Sequence, residues 1–328
     1  MATAANGTDG LLEVTDLSTT FATPEGEVKA VSGVGFSVGP GESLGVVGES
    51  GSGKSQIFMS IMGLLAANGR ARGSVKFHGE EILGLPPERL NRIRGERMSM
   101  IFQDPMTSLN PYLTIRRQMT EVLVTHKGMS ESAATEAAIA MLERVNIPEA
   151  RRRIGMYPHE FSGGMRQRVM IAMALLCQPE LLIADEPTTA LDVTVQAQIL
   201  ELIGEIRTES RTAVILITHD LGVIAGLCDR VMVMYAGRIV ESGTVREIFH
   251  DAQHPYTAGL LRSMPRLDEA MAERLTTIAG QPPNLQRLPP GCSFHDRCAY
   301  REPVCLEKRP EFRSIGPGRH KACHLERL

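Results

Sequence analysis

The sequence Gly48-Glu49-Ser50-Gly51-Ser52-Gly53-Lys54-Ser55 decides the fold class of this chain. It follows a short apolar stretch, residues 44–47, that is typical of a buried strand, and it leads into helical apolar spacing over residues 54–65. A strand, a glycine-rich loop and a helix in this order match the phosphate-loop pattern. The glycines let successive backbone N–H groups point toward phosphate oxygens, and the helix begins with its positive end beside them. The stretch therefore predicts a nucleotide-phosphate site.

Two residues at the end of this loop have specific expected roles. Lys54 would bind the β and γ phosphates, and the Ser55 hydroxyl would bind a magnesium ion that keeps mostly water and phosphate oxygens as ligands. The alternative interpretation is an ordinary glycine turn. The position of the loop between a strand and a helix favours the phosphate site.

A second apolar stretch, residues 181–184, ends in two carboxylates, Asp185 and Glu186. Asp185 would help to hold magnesium, and Glu186 would polarise the attacking water as a general base. Alone, such a pair is usually the solvated end of a strand. Together with a phosphate loop it indicates the second half of the same site.

Two further polar residues follow apolar strands. Gln103 comes after residues 100–102 and could reach metal or water through its amide, whereas its alternative role is that of a surface glutamine. His219 comes after the predicted strand at residues 214–218 and could bind the γ phosphate, but a lone histidine there is more often a helix cap. Only their combination with the phosphate loop favours the functional roles.

Outside the loop, apolar spacing divides the chain into strands and helices. Short alternating stretches predict strands at residues 12–14, 28–31, 35–38 and 44–47. Between Asp104 and Cys177 the spacing is helical, with the clearest helices at residues 115–124, 130–145 and 163–176. Further strands are predicted at residues 181–184, 213–218, 231–235 and 238–240, and a further helix at residues 193–207. The alternation of strands and helices predicts an α/β fold.

Composition and charge limit the classes of partner. The 328 residues carry 35 basic and 38 acidic side chains, so a formal charge of −3 provides no field for a polyanion, and nucleic acid is not an expected partner. No stretch approaches the roughly 20 apolar residues of a membrane-spanning helix. Residues 1–10 lack the cationic and apolar regions of a secretory signal, which favours a cytoplasmic location.

A Ser-Gly-Gly segment makes the chain resemble a specific family. The sequence Phe161-Ser162-Gly163-Gly164-Met165-Arg166-Gln167 opens a predicted helix upstream of the acidic strand. With the phosphate loop, Gln103, Asp185-Glu186, Ala190-Leu191-Asp192 and His219, it resembles the nucleotide-binding subunit of an ATP-binding-cassette (ABC) transporter. The family's usual signature begins with Leu and has Gln as its fifth residue, where this chain has Phe161 and Met165.

The resemblance implies ATP sites shared between two subunits. Ser162 and the helix start behind it would bind the γ phosphate held by the opposing subunit, and Asp192 would lie on that interface. Phe21 stands where the family places an aromatic ring against adenine, although a core role fits equally well. Gln103 would couple phosphate release to rotation of a helical subdomain docked on membrane subunits.

The site residues implied by the resemblance fall into three sets. The catalytic set is Glu186, His219 and Gln103, and the magnesium set is Ser55, Gln103 and Asp185. The nucleotide-binding set is Phe21, Gly48, Glu49, Ser50, Gly51, Ser52, Gly53, Lys54, Ser55, Gln103, Ser162, Gly163, Gly164, Asp185 and Asp192.

The resemblance also implies the domain organisation. Residues 1–265 would form a phosphate-loop NTPase core of the ABC type, with an antiparallel β subdomain and a helical subdomain at about residues 104–178. Composition changes after Met264, where prolines interrupt the apolar spacing. Residues 266–328 would form a Cys-rich C-terminal extension.

Four of the six cysteines, Cys292, Cys298, Cys305 and Cys323, lie in this extension, separated by five, six and seventeen residues. These gaps differ from the C-x2-C pairs of common zinc sites, so an iron–sulfur cluster is favoured and zinc stays an alternative. Four unpaired thiols are the remaining interpretation. Additional candidate ligands in the extension are His295, His320 and His324.

The residues around these cysteines resemble a subfamily. The stretches Gly291-Cys292-Ser293-Phe294-His295-Asp296-Arg297-Cys298, His254-Pro255-Tyr256-Thr257 and Gly280-Gln281-Pro282-Pro283 are similar to the ending of oligopeptide and dipeptide permease ATPases. The resemblance implies that some members bind a four-iron ([4Fe-4S]) cluster at these cysteines.

The function implied is that of an ATPase subunit that energises a peptide importer at the cytoplasmic face of the inner membrane. Its partners would be a related second ATPase subunit, two transmembrane permease subunits and, indirectly, an external peptide-binding protein. The alternatives are an importer for nickel or another small solute, a soluble ABC ATPase of DNA repair or translation, and a nucleotide-binding scaffold without turnover. The lack of heptads and of a second phosphate loop disfavours the soluble ATPases.

Overall fold

The structure is a computed structural model that describes residues 10–104, 108–188, 192–264 and 278–328. These residues divide into two compact units. The first unit takes its residues from 1–38, 43–84 and 217–328, and the second unit from 39–42 and 85–216.

The elements of the described residues are numbered in chain order. The strands are β1 (Leu12–Thr23), β2 (Gly26–Val38), β3 (Ser43–Val47), β4 (Gly69–Phe77), β5 (Glu80–Glu81), β6 (Met98–Ile101), β7 (Leu181–Asp185), β8 (Ala213–Ile217), β9 (Arg230–Tyr235), β10 (Arg238–Thr244), β11 (Arg313–Gly316) and β12 (Arg319–Lys321). The α-helices are α1 (Lys54–Ile61), α2 (Pro87–Leu90), α3 (Ile115–Lys127), α4 (Glu131–Arg144), α5 (Ala150–Arg153), α6 (Gly163–Leu175), α7 (Val193–Ser210), α8 (Leu221–Leu227), α9 (Val245–His250), α10 (Pro255–Arg262) and α11 (Val304–Glu307). Short 3-10 turns cover Pro158–Glu160 and His295–Arg297.

The first unit contains an antiparallel sheet in the order β2, β1, β4, β5. Leu12, Val14 and Leu17 of β1 are buried, as expected for a strand with one face on a core. In the same unit β3 runs parallel to β9, which forms a hairpin with β10 around Ala236-Gly237. Both turn residues have positive φ, as a two-residue hairpin turn requires.

The C-terminal extension adds two strands, β12 and β11, beside the hairpin of β9 and β10. β12 pairs antiparallel with β10, and β11 pairs antiparallel with β12. The sequence predicts little regular structure here, because the short strands have no periodic apolar pattern of their own. They form because β10 offers them an open edge to pair with.

The second unit contains the strand order β8, β7, β6, in which β6 and β7 are parallel. All residues of these strands are buried, which explains their continuous apolar sequence. Helices α3 and α4 pack together, with Ile115, Met119 and Leu123 buried at intervals of four residues. The side chains of Thr114 and Ser130 cap the two helices.

The predicted α/β fold is confirmed, and the predicted helices of the second unit end within a few residues of the observed ends. Several expectations were wrong in extent, among them the strands predicted at residues 12–14 and 238–240, which continue to Thr23 and Thr244. The helix predicted over residues 54–65 ends at Ile61, because Gly63 has a left-handed backbone that closes it. The strands predicted at residues 28–31 and 35–38 are one strand, β2, which pairs with β1 through several register shifts.

The predicted helical subdomain, residues 104–178, contains helices and turns but no strand among its described residues. The predicted boundary at 265/266 falls where residues 265–277 lie outside the described part of the chain, and it stays a prediction. Among the described helices, none combines the length and the apolar character that a bilayer crossing needs.

Candidate nucleotide site

The phosphate loop of the first unit has the backbone that its glycines predict. Gly48, Gly51 and Gly53 all have positive φ. A Cβ on Gly48 would lie 2.3 Å from the carbonyl oxygen of Met234, and a Cβ on Gly53 would lie 2.3 Å from that of Ala30. Only glycine fits at these two positions, so the loop follows from both conformation and close packing.

Lys54 is buried at the start of α1. Its ammonium donates hydrogen bonds to the backbone carbonyl oxygens of Gly48 (2.7 Å) and Glu49 (3.0 Å). The cation is therefore already inside the loop, beside the backbone groups that would surround phosphate. The prediction for Lys54 is consistent with this position.

The loop also contains a buried polar atom that a phosphate would satisfy. The Ser52 hydroxyl is buried and makes no hydrogen bond within the part of the chain that the structure describes. A buried hydroxyl without a partner is costly unless a ligand or water completes it. The Ser52 hydroxyl could therefore donate a hydrogen bond to a phosphate oxygen. The Ser55 hydroxyl, three residues later, is the kind of oxygen ligand that magnesium prefers.

Glu49 of the loop has two partners, Arg297 and Tyr256, that its sequence pattern does not predict. Its carboxylate forms a bidentate ion pair with Arg297, at 2.6 and 2.8 Å. Its backbone N–H donates to the Tyr256 hydroxyl at 2.8 Å. Both partners lie in stretches quoted for the subfamily resemblance, but nothing in their local pattern indicates a contact with residue 49.

The acidic strand lies in the second unit. Asp185 is buried at the end of β7, and the half-buried Glu186 follows it with a φ of +47°. A left-handed backbone at a residue other than glycine is strained, and such strain is concentrated at functional sites. The exposed Gln103 donates from Nε2 to the Glu186 carboxylate at 3.1 Å. The structure thus brings two predicted catalytic residues together.

The Ser-Gly-Gly segment opens α6 in the same unit. The exposed Ser162 caps the helix by accepting a hydrogen bond from the backbone N–H of Met165 at 3.3 Å. A Cβ on the exposed Gly163 would meet no atom within 4 Å, and Gly164 is half-buried. The buried Gln167 donates to the carbonyl oxygen of Pro187 at 2.6 Å, which connects this helix to the residue after Glu186.

The remaining predicted residues occupy less specific positions. Asp192 caps α7 by accepting from the backbone N–H of Val195 at 3.0 Å. His219 is exposed, and the helix cap beside it is Asp220, not the histidine. Phe21 is half-buried against Gly69, so adenine stacking and a core role both fit. Ala190 and Leu191 lie outside the described residues.

The four cysteines of the extension are all free thiols. Burial raises the pKa of Cys292 to about 11, with smaller contributions from the charges of Cys305, Cys323 and Cys298. Burial likewise raises the thiol pKa of Cys298 and Cys323, each with a contribution from Cys305. Cys292 thus interacts electrostatically with the other three thiols, and its backbone N–H donates to the carbonyl oxygen of Cys305 at 2.8 Å.

No metal-binding geometry accompanies this proximity. Within the described ranges, no group of three or more His, Cys, Asp or Glu residues is placed to hold a metal ion. The candidate histidine ligands have other contacts, because His295 contacts the Cys292 carbonyl oxygen and His324 contacts that of Lys308. The ring of His320 stacks on Phe312.

Comparison with known families and proteins agrees with the geometry of the loop and the acidic strand. The family "ABC transporter" matches residues 31–189, and "Oligopeptide/dipeptide transporter, C-terminal region" matches residues 240–305. The oligopeptide transport ATP-binding protein OppD of Salmonella typhimurium is 60% identical over 95% of this chain and 93% of its own length. OppD of Escherichia coli is 59% identical over 96% of this chain and 93% of its own length.

A more distant relative also has a name that refers to peptide import, and two similar solved structures are of an ABC transporter cassette. A putative peptide import ATP-binding protein of Brucella melitensis is 50% identical over 95% of this chain and 96% of its own. Two dimeric structures of the ABC transporter cassette MJ0796, one of them a post-hydrolysis state bound to ADP and Pi, each align with a TM-score of 0.65 and 27% identity. Each alignment covers 72% of this chain and 99% of the cassette. The chain therefore belongs to the ABC transporter ATPases, in the group that carries the oligopeptide/dipeptide transporter C-terminal region.

Proposed function

We propose that this chain is the ATP-hydrolysing subunit of an importer for oligopeptides or dipeptides. The observation that carries the proposal is its 60% identity with an oligopeptide transport ATP-binding protein over 95% of the chain, which includes the extension. A nickel or small-solute importer is the alternative from the same family. The match of the C-terminal region to oligopeptide and dipeptide transporters favours peptides.

In the proposed reaction the phosphate loop binds the triphosphate. Backbone N–H groups and the Ser52 hydroxyl donate to phosphate oxygens, and Lys54 turns from the carbonyl oxygens of Gly48 and Glu49 to the β and γ phosphates. This exchange moves the ammonium by little, because the lysine already lies inside the loop. Binding therefore needs little reorganisation.

Hydrolysis is proposed to depend on Glu186 as the general base. The Gln103 amide holds the carboxylate by its 3.1 Å hydrogen bond, so the base is already oriented to accept a proton from the water that attacks the γ phosphate and displaces ADP. His219 is proposed to hold the γ phosphate. Bound magnesium would supply charge neutralisation on the phosphates, and Ser55, Gln103 and Asp185 provide hydroxyl, amide and carboxylate oxygens suited to it.

The working form is proposed to be a head-to-tail pair with a related ATPase subunit. Ser162 and Gly163 are exposed at the start of α6, as residues that bind a γ phosphate on the opposing subunit must be. Asp192 is proposed to lie on the same interface. The pair would bind two transmembrane permease subunits from the cytoplasmic side, and an external peptide-binding protein would deliver the substrate.

The four cysteines of the extension are proposed to hold a [4Fe-4S] cluster with a structural role. Four cysteine thiolates are the donor set that such a cluster would need, and Cys292, Cys298, Cys305 and Cys323 would supply it. The gaps between the cysteines differ from the C-x2-C pairs of common zinc sites, so zinc stays the weaker alternative.

The test uses the chain assembled with its cognate permeases and binding protein in lipid vesicles. Peptide-loaded binding protein should stimulate ATP hydrolysis and peptide uptake, and Glu186→Gln should abolish both while ATP binding persists. Glu205→Gln, on the exposed side of α7, is the matched control and should behave like the unmodified chain. Stimulation by nickel-loaded but not peptide-loaded binding protein would assign the alternative substrate, and full turnover in Glu186→Gln would reject the general base.

A further inference from the structure

The C-terminal extension contacts the phosphate loop through one arginine. Arg297 lies in the 3-10 turn His295–Arg297, and its side chain is only 4% exposed. Its guanidinium binds both carboxylate oxygens of Glu49, at 2.6 and 2.8 Å. This fork-to-fork geometry is the strong form of an arginine–carboxylate pair.

Arg297 is itself held in place from several sides. Its Nε donates to the carbonyl oxygen of Ala279 at 3.0 Å, and a terminal nitrogen donates to the Tyr235 hydroxyl at 3.3 Å. The guanidinium also lies 5.8 Å from the centre of the Tyr235 ring and 5.9 Å from that of Phe294. The arginine is therefore a fixed charge and not a mobile surface side chain.

A tyrosine from α10 holds the backbone of the same loop residue. The Tyr256 hydroxyl accepts the hydrogen bond from the backbone N–H of Glu49, and the ring is fully buried against Tyr235 and Phe294. The carbonyl oxygen of Glu49 accepts from Lys54. Side chain, N–H and carbonyl of one loop residue are thus each bound, two of them by residues that follow residue 250.

The charge of Glu49 explains why such a contact matters for nucleotide binding. A carboxylate within a loop that receives a triphosphate repels the ligand, and the repulsion is strong where water is partly excluded. A bidentate guanidinium at 2.6 and 2.8 Å cancels that charge at close range. The extension therefore supplies the positive charge that compensates Glu49, although Arg297 lies 248 positions away in the sequence.

We propose that Arg297 is a positioning residue of the nucleotide site, which neutralises Glu49 and so makes the C-terminal extension part of the machinery that binds ATP. It touches neither the phosphates nor the attacking water, and it acts through Glu49. Loss of Arg297 should therefore weaken nucleotide affinity and raise the KM for ATP, with kcat at saturating ATP little changed.

The experiment measures binding of fluorescent mant-ADP with magnesium to the full-length chain, and ATPase kinetics of the assembled transporter. Arg297→Ala should raise the Kd and the KM about tenfold, the factor that corresponds to about 1.4 kcal/mol. The increase should shrink as salt is raised, because salt screens the uncovered charge of Glu49. Arg297→Lys should restore part of the affinity, and Arg301→Ala, an exposed arginine of the same extension, is the control.

Glu49→Gln separates the charge effect from a loss of folding. Glu49→Gln removes the negative charge and leaves the guanidinium of Arg297 uncompensated beside the loop, so this variant alone should bind mant-ADP more tightly than the unmodified chain. The double variant Arg297→Ala/Glu49→Gln should regain most of the affinity that Arg297→Ala loses. An affinity in Arg297→Ala equal to the control, or a Glu49→Gln variant as weak as Arg297→Ala, would overturn the proposal. If Arg297→Ala fails to fold, Glu49→Gln and Arg297→Lys still decide between the outcomes.

Discussion

The amide of Gln103 donates a 3.1 Å hydrogen bond to the carboxylate of Glu186, although the two residues are 83 positions apart. Glu186 has a left-handed backbone, with a φ of +47°, at the end of β7. An oriented carboxylate on a strained backbone suits a general base that must meet one water molecule. We therefore propose that Gln103 orients the Glu186 carboxylate, in addition to the magnesium role that the sequence predicts for it.

Replacing Gln103 by alanine should lower kcat more than it changes nucleotide affinity. The carboxylate of Glu186 would lose its orienting donor, and misorientation of a catalytic base costs about tenfold to a hundredfold in rate. Steady-state ATPase kinetics of the assembled transporter check this expectation. Gln198→Ala, on the exposed side of α7, serves as the control glutamine. A rise in the KM for ATP with kcat intact would assign Gln103 to nucleotide binding instead.

Replacing Gly53 by alanine should abolish nucleotide binding and destabilise the first unit. The new Cβ would lie 2.3 Å from the backbone carbonyl oxygen of Ala30, so strand β2 or the loop must move. A cost of roughly 2–4 kcal/mol is expected from such overpacking together with an unfavourable φ.

The matched control is Gly128→Ala at the end of α3. This glycine also has a positive φ, but a Cβ there would meet no atom within 4 Å. Gly128→Ala should lower the free energy of unfolding by about 1 kcal/mol, because only backbone strain opposes it. Chemical denaturation measures both values. Equal costs for Gly53→Ala and Gly128→Ala would show that packing against Ala30 is unimportant.

The buried His254 should make the protein lose stability in mild acid. Burial, together with the charge of Lys321, lowers the pKa of His254 to about 3 from its ordinary value of 6.5. Between these values the unfolded chain binds a proton that the folded chain does not, so stability is complete above pH 6.5 and falls as the pH is lowered toward 3. By pH 5 the loss from this group should reach roughly 2 kcal/mol.

His254→Asn tests the assignment of this pH dependence. Asparagine can keep the cap at the start of α10, where His254 accepts from the backbone N–H of Tyr256 at 3.1 Å, but it does not titrate. Urea unfolding at several pH values from 7.5 to 5 should show a flatter profile for His254→Asn. His320→Asn is the comparison. The pKa of His320 is also lowered by burial, but His320 is less buried than His254, so this substitution should change the pH dependence of stability less. An unchanged slope in His254→Asn would exclude the histidine as the cause.

The cysteine proposal predicts iron and sulfide in the purified protein. Chain prepared without oxygen should be brown and contain about four irons and four sulfides per molecule, as a [4Fe-4S] cluster requires. Cys298→Ser should lower the iron content, whereas Cys177→Ser, a buried thiol far from the extension in sequence, should leave it unchanged. Colourless protein without iron would contradict the cluster, and zinc in place of iron would favour the alternative.

Local patterns were sufficient for part of the fold, whereas β4 and the helices α8, α9 and α10 were not predicted. The helices α3 and α4 and the strand β7 were predicted close to their observed bounds. Burial of one helix face requires apolar residues at helical spacing, and burial of a whole strand requires a continuous apolar stretch, so both patterns are visible in the local sequence. The extent of β2 and the strands of the extension were not predicted. Those elements depend on pairing with β1 and β10, and strand pairing has no signal in the paired segment alone.

The sequence by itself determined the chemistry of the nucleotide site, because a phosphate loop needs specific residues at neighbouring positions. The roles of Gly48, Gly53 and Lys54 could be predicted without any structure, since backbone conformation and reach are local properties. Only the tertiary structure decided which charge lies beside the loop. Arg297 is 248 positions from Glu49, and an ion pair over that separation exists only because the folded chain brings the extension to the loop.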